Sequence, residues 1–139
     1  MERILVSMDT NRGAWKALSK ATSLARRTGA RIFVLLICTK QMPEYPLFRE
    51  KAPLIGERLG LMMESAKSEG IWMEIFMAEG DYEEEVIRFV KGYGITHLIL
   101  EAVEENPKSG TRCLKAINSI KHRVNCRVEL IQKNKRQKT

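Results

Sequence analysis

Five short apolar runs, separated by longer stretches in which apolar positions recur every three or four residues, set the first reading of the chain. "RILVSM" (3–8), "RIFVLLI" (31–37), "IWMEIFM" (71–77), "THLILE" (96–101) and "RVELIQ" (127–132) are brief and rich in Ile, Leu and Val. Such runs predict strands of a parallel sheet covered on both faces. Four helices are predicted between them. The first covers 12–28, with Thr10 or Asn11 as N-cap, Ala14, Leu18, Ala21 and Leu24 or Ala25 turned inward, and Gly29 as its stop. The second covers 47–69 after the turn "QMPEYP", and Pro53 should start, kink or divide it. Asp81 should cap the third, with Glu84 three residues on as a capping-box partner, Val86, Ile87 and Val90 facing the sheet, and Gly92 and Gly94 ending it. The fourth covers 111–123, with Ser109 available as cap and Leu114, Ile117 and Ile120 inward.

The alternation is β-α-β-α-β-α-β-α-β, which right-handed crossovers wind into an open, doubly wound, Rossmann-like α/β sheet. Ligands on such sheets lie beyond the carboxyl ends of the strands, where the strand order reverses. For the order 3-2-1-4-5 that point falls between the first and fourth strands, and it brings Asp9 beside the 101–110 segment of "LILEAVEENPKSG".

Composition changes the picture only a little. With 139 residues, 44% of them hydrophobic, the chain suits one domain, placed at 1–132. The longest apolar run, "IFVLLIC", is too short to cross a membrane, and "MERILV" lacks the apolar stretch of a secretory signal, so a soluble cytoplasmic protein without a membrane partner is expected. Of the net charge of +7, Lys133, Lys135, Arg136 and Lys138 carry four, which leaves +3 for residues 1–132. The 133–139 tail has no apolar residue to pack and reads as a frayed, solvated end rather than a nucleic-acid arm, so no nucleic-acid partner is expected. Cys38, Cys113 and Cys126 form no CxxC pair and stand at no metal-ligand spacing to His97 or His122. They read as small buried thiols, and no metal site is expected. His97 and His122 read as surface histidines, and Met62, Met63, Met73 and Met77 as packing residues.

"ILVSMDTNRGAWKALSKATSLARRTGARIFVLLI", "GDYEEEVIRFVKGYGITHLILEA" and the final "NCRVELI" together resemble the universal stress protein (UspA) family over essentially the whole length. Order and spacing carry the resemblance, with no single sharp motif. It implies five parallel strands and four helices, a homodimer and, in one branch of the family, an ATP site. That site uses the position of Asp9 for the nucleoside and a glycine pattern, G-x2-G-x9-G-(S/T), around the phosphates after the fourth strand. The chemical need is close approach of phosphate oxygens to backbone N–H groups, which glycine permits.

From Glu101 to Thr139 this chain has one glycine, Gly110, so the pattern has no place there. Aligned on "CRVELI", its glycine positions fall on Glu101, Glu104 and Leu114, with Lys115 at the hydroxyl; aligned on "LIL", the first two move to Ala102 and Glu105. Carboxylates there would repel a triphosphate, and side chains would block its approach. ATP or another adenine nucleotide is therefore disfavoured, and no cofactor is expected. Asp9 alone is carried over from the family's site, with helix capping as an equal alternative. Against this, Lys108, Ser109, Gly110, Thr111 and Arg112 at a helix start could hold an anion, although a helix-start turn explains the same residues. Enzymatic readings lack their parts: a receiver domain would want a Ser or Thr after the fourth strand, which here ends in Glu101 and Ala102, and "SMDTNRG" offers neither the SGGxDS loop nor the paired-His signature of the fold's nucleotide-activating relatives. The reading is a non-catalytic regulatory or protective dimer that binds an unidentified protein partner. The alternative is a nucleotide-binding module with a divergent site around Asp9 and 108–115. The dimer is expected through the edge strand, with Val128, Leu130 and Ile131 at the interface.

Overall fold

Parallel pairing organises the chain around one five-stranded sheet. A computed structural model describes residues 2–9, 13–38, 45–102 and 107–132, with side chains for 2–9, 13–38, 55–101 and 115–131. The strands are β1 (Arg3–Asp9), β2 (Arg31–Cys38), β3 (Met73–Glu79), β4 (His97–Ala102) and β5 (Arg127–Gln132), in the spatial order β3-β2-β1-β4-β5 expected from the alternation. The helices are α1 (Trp15–Thr28), α2 (Tyr45–Ser68), α3 (Tyr82–Gly92) and α4 (Pro107–Arg123). Thr10, Asn11, Arg12, Glu104, Glu105 and the 133–139 tail lie outside the described residues, as do the side chains of Cys113 and Leu114. No described helix is long and apolar enough to cross a membrane.

The period-two alternation of each strand sorts the core into two layers. Ile4, Val6 and Met8 of β1 join Ile32, Val34 and Leu36 of β2 under α1 and α2, where Ala17, Leu18, Ala21 and Ala25 line the buried face of α1. Three alanines in that face let the helix lie close to the sheet. On the other face Leu5, Phe33, Leu35, Leu98 and Leu100 pack against Val86, Ile87, Phe89 and Val90 of α3 and Ile117 and Ile120 of α4. Gly29, at φ 75°, closes α1 as predicted, its N–H donating to Ala25 O at 2.8 Å.

Several expectations need correction. α1 starts at Trp15 with Ala14 as its N-cap residue, which offers no side-chain cap. α2 starts at Tyr45 and continues past Pro53, which therefore neither starts nor divides it. β3 begins two residues later than predicted, because the Ile71 N–H closes the end of α2 by donating to Ala66 O (2.9 Å). α4 begins at Pro107, a residue suited to the first helical position since its missing N–H would find no partner there. Met77 is no packing residue: on the outer strand β3 it is 71% exposed. Cys38 and Cys126 are half-buried rather than buried, and burial raises the pKa of the Cys126 thiol. His97 is buried, at 2% exposure, while His122 is exposed.

Candidate functional site

Strand pairing shows where a crevice opens. β1 pairs with β2 over its full length, from Arg3–Arg31 to Asp9–Ile37, but with β4 only through Ile4–His97, Leu5–Leu98 and Val6–Ile99. β4 continues alongside β5 as far as Ala102–Gln132. Beyond Val6 and Ile99 the two central strands therefore part, at the point where the chain winds in opposite directions.

Three groups line this opening. Glu101 of β4 lies on the α1 side, in alternation with Ile99, and its Oε1 accepts the backbone N–H of Ala17 at 2.9 Å. Ala17 is the third residue of α1, so Glu101 supplies the N-terminal cap that Ala14 lacks, from 84 residues away in the chain. A carboxylate at the positive end of a helix is favourable on charge as well. On the opposite face Ser7, almost fully buried, shares a 2.6 Å hydrogen bond with the Tyr82 hydroxyl at the start of α3. Next to the start of α1, the Trp15 indole folds onto Gly13, where an added Cβ would stand 2.2 Å from the ring, and the Arg58 guanidinium of α2 lies 4.3 Å from the ring centroid. Only glycine admits that contact.

The predicted site residues are placed as follows. Asp9 ends β1 at the crevice, partly buried. Lys108, Ser109, Gly110, Thr111 and Arg112 are not a turn ahead of α4 but part of its first turns; their side chains lie outside the described residues. Val128, Leu130 and Ile131 are partly buried on the outer strand β5, the first two against the α3–α4 layer and Ile131 against the α1–α2 layer.

Glu101 was legible as a charge in the phosphate path but not as a helix cap. A second polar group was missed entirely. His97 Nε2 lies 3.2 Å from Glu129 Oε1, Lys20 Nζ lies 2.9 Å from Glu129 Oε2, and the other ring nitrogen of His97 is 3.9 Å from Glu2. The Lys20 hydrogen bond holds the Glu129 carboxyl below the usual carboxylate range, against an opposing effect of burial and with further help from the charges of Lys20 and His97. Alternation places His97, Glu129 and Lys20 together between α1 and strands β4 and β5, where they tie β5 to the helix. Among the described residues no group of three or more His, Cys, Asp or Glu is placed to hold a metal ion.

No family model matches the chain. No curated protein matches it in sequence either. Solved structures do match. The universal stress protein UspA from Lactobacillus plantarum superposes with a TM-score of 0.73 at 17% identity, over 94% of this chain and 97% of that one. The fold is that of the universal stress proteins. An Arabidopsis thaliana universal stress family protein with AMP bound matches at a TM-score of 0.60 and 15% identity, over 100% of this chain and 96% of that one. The Archaeoglobus fulgidus universal stress protein in complex with dAMP matches at 0.63 and 14%, over 94% and 98%. The universal stress fold thus covers nearly the whole chain, as the resemblance implied, at identities that speak for architecture alone.

Proposed function

We propose that the protein is a non-catalytic, cytoplasmic regulator of universal-stress type, which works as a homodimer by binding a protein partner and does not take ATP in the family's usual mode. The observation that carries the reading is the Glu101 carboxylate seated on the N-terminus of α1 at the crevice. A carboxylate of the chain itself satisfies the start of α1 at the crevice, and its charge opposes a polyphosphate arriving beside it. The lack of a three-glycine pattern after β4, where Gly110 stands alone, acts in the same direction. The homodimer is proposed through β5, whose outer ladder groups need a partner or water and whose Val128, Leu130 and Ile131 are incompletely covered.

Titration calorimetry with Mg-ATP and with AMP tests the nucleotide part. Weak or absent heats are expected for ATP. A low-micromolar dissociation constant that Asp9→Ala abolishes would overturn the reading. It would favour the alternative, a nucleotide module with a divergent site around Asp9 and 108–115, which draws support from the AMP and dAMP complexes of the structural neighbours. Sedimentation tests the dimer. The unaltered chain should sediment as a dimer and Leu130→Pro, which removes a ladder donor, should shift it toward monomer.

A further inference from the structure

Parallel strands bring all their first residues to one end of the sheet, and at this end the chain collects cations and rings. β1 and β2 start with Arg3 and Arg31, which stand opposite each other in register. The Arg3 guanidinium lies 4.9 Å from the Phe33 ring centroid and donates through Nε to Tyr93 O at 2.7 Å; the Arg31 guanidinium lies 5.3 Å from the Trp72 ring centroid. Phe33, Trp72, Phe76, Phe89 and Tyr93 form one aromatic cluster under them, with ring centroids 4.0 to 6.1 Å apart. Trp72 and Tyr93 are among the few large apolar side chains that remain exposed, at 38% and 40%. Beside Tyr93 a groove of about 430 Å³ opens between the ends of α3 and α4, with an apolar floor that includes Val90, Ile95 and Val124, and with Lys91 and Arg127 on its lining. Lys91 stands in the last turn of α3, where it also offsets the helix dipole. Neither it nor Arg31 or Arg127 has an ion-pair partner among the described residues.

We infer that this amino end of the sheet is the surface that receives the protein partner, and that it receives an acidic segment with an apolar side chain that enters the groove. The inference deepens the proposed function and rests on its claim of a protein partner. Exposed Trp, Tyr and Arg are the residue types that dominate binding energy in protein interfaces. Guanidinium groups laid on rings keep their N–H edges turned to solvent in a fork that matches a carboxylate, and stacking holds them in place before binding. A single-stranded nucleic acid fits less well, since it needs free ring faces for its bases. Here one face of Tyr93 stacks on Phe89 at 4.0 Å, and Arg31 lies over Trp72. The groove, lined by aliphatic rather than aromatic side chains, suits an aliphatic anchor.

The test uses the full chain and a fluorescent peptide in which Glu alternates with Leu, followed by anisotropy at low and moderate salt. Binding is expected, weakening as salt rises, and falling about tenfold or more in the Arg31→Glu/Lys91→Glu variant. That variant should in turn gain binding to a peptide in which Lys replaces Glu. Both substituted side chains are exposed, and far-UV circular dichroism checks that the fold persists; Lys91→Glu alone gives a second reading. Equal affinity of wild type and variants for the acidic peptide would overturn the proposal, because the unchanged 133–139 tail would then account for the binding. Displacement of the peptide by an oligothymidylate, with the oligonucleotide bound more tightly and lost in the same variants, would reassign the surface to nucleic acid. A positive ATP titration with this peptide result intact would refute only the proposed loss of the nucleotide site.

Discussion

At the carboxyl end of the sheet a carboxylate of the chain itself sits on the start of α1, whereas at the amino end the exposed Arg31 and Lys91 have no carboxylate paired with them among the described residues. The helix dipoles account for part of the contrast. All four helices start at the carboxyl end and finish at the amino end, so the first end attracts anions and the second attracts cations. Arg26, Arg27, Lys67, Lys91, Lys121 and Arg123 stand in last turns accordingly. Arg3 and Arg31, at strand starts, have no such duty, and the rings beneath them have the makings of a contact surface. At the end where this fold usually takes a ligand the start of α1 is capped from within the chain, whereas among the described residues Arg31 and Lys91 at the opposite end have no ion-pair partner.

The sharpest break of that comparison should come from the aromatic cluster. Phe33 is buried and touches four of the other rings, so Phe33→Ala should cost about 3–5 kcal/mol of stability in urea unfolding. A loss under about 1 kcal/mol would mean that the amino end holds no tightly packed cluster.

At the other end, Gly13→Ala should cost about 1–3 kcal/mol, since the new Cβ meets the Trp15 ring at 2.2 Å and the indole must move. The two tryptophans, one at each end, report separately. In a Trp72→Phe background the substitution should shift the Trp15 emission to longer wavelength; an unchanged spectrum would show that the ring does not rest on Gly13.

Glu101→Ala removes a helix cap and should cost about 1 kcal/mol, with Glu101→Gln costing less because it keeps an acceptor. Equal stability of all three chains in thermal melts would remove the cap from the account of the crevice.

The smallest effect concerns pH. Glu129 titrates below its unfolded value, so its contribution is present above the ordinary carboxylate range and is lost as pH falls through its folded pKa. Lys20→Met should therefore destabilise the chain at neutral pH, and the two stability curves should converge in acid. Parallel curves would show that the Lys20–Glu129 pair does not link folding to pH.

The sheet order, the two helix layers and the core faces were legible because they follow from apolar period and chirality, both of which are local or generic. Leu18 and Ala21 of α1, Val86 and Val90 of α3, and Ile117 and Ile120 of α4 face the core as their spacing required. What escaped depended on partners far away in the chain. The start of α1 went astray because its cap is the Glu101 side chain, and no rule of local capping looks 84 residues ahead. His97 looked like a surface residue because nothing local shows that β4 lies between β1 and β5, where Glu129 reaches its ring and Lys20 in turn holds Glu129. The cations of the amino end were likewise countable but not placeable. Arg3 and Arg31 stand 28 residues apart in the chain and opposite each other in the sheet, since parallel pairing aligns the starts of strands whatever lies between them.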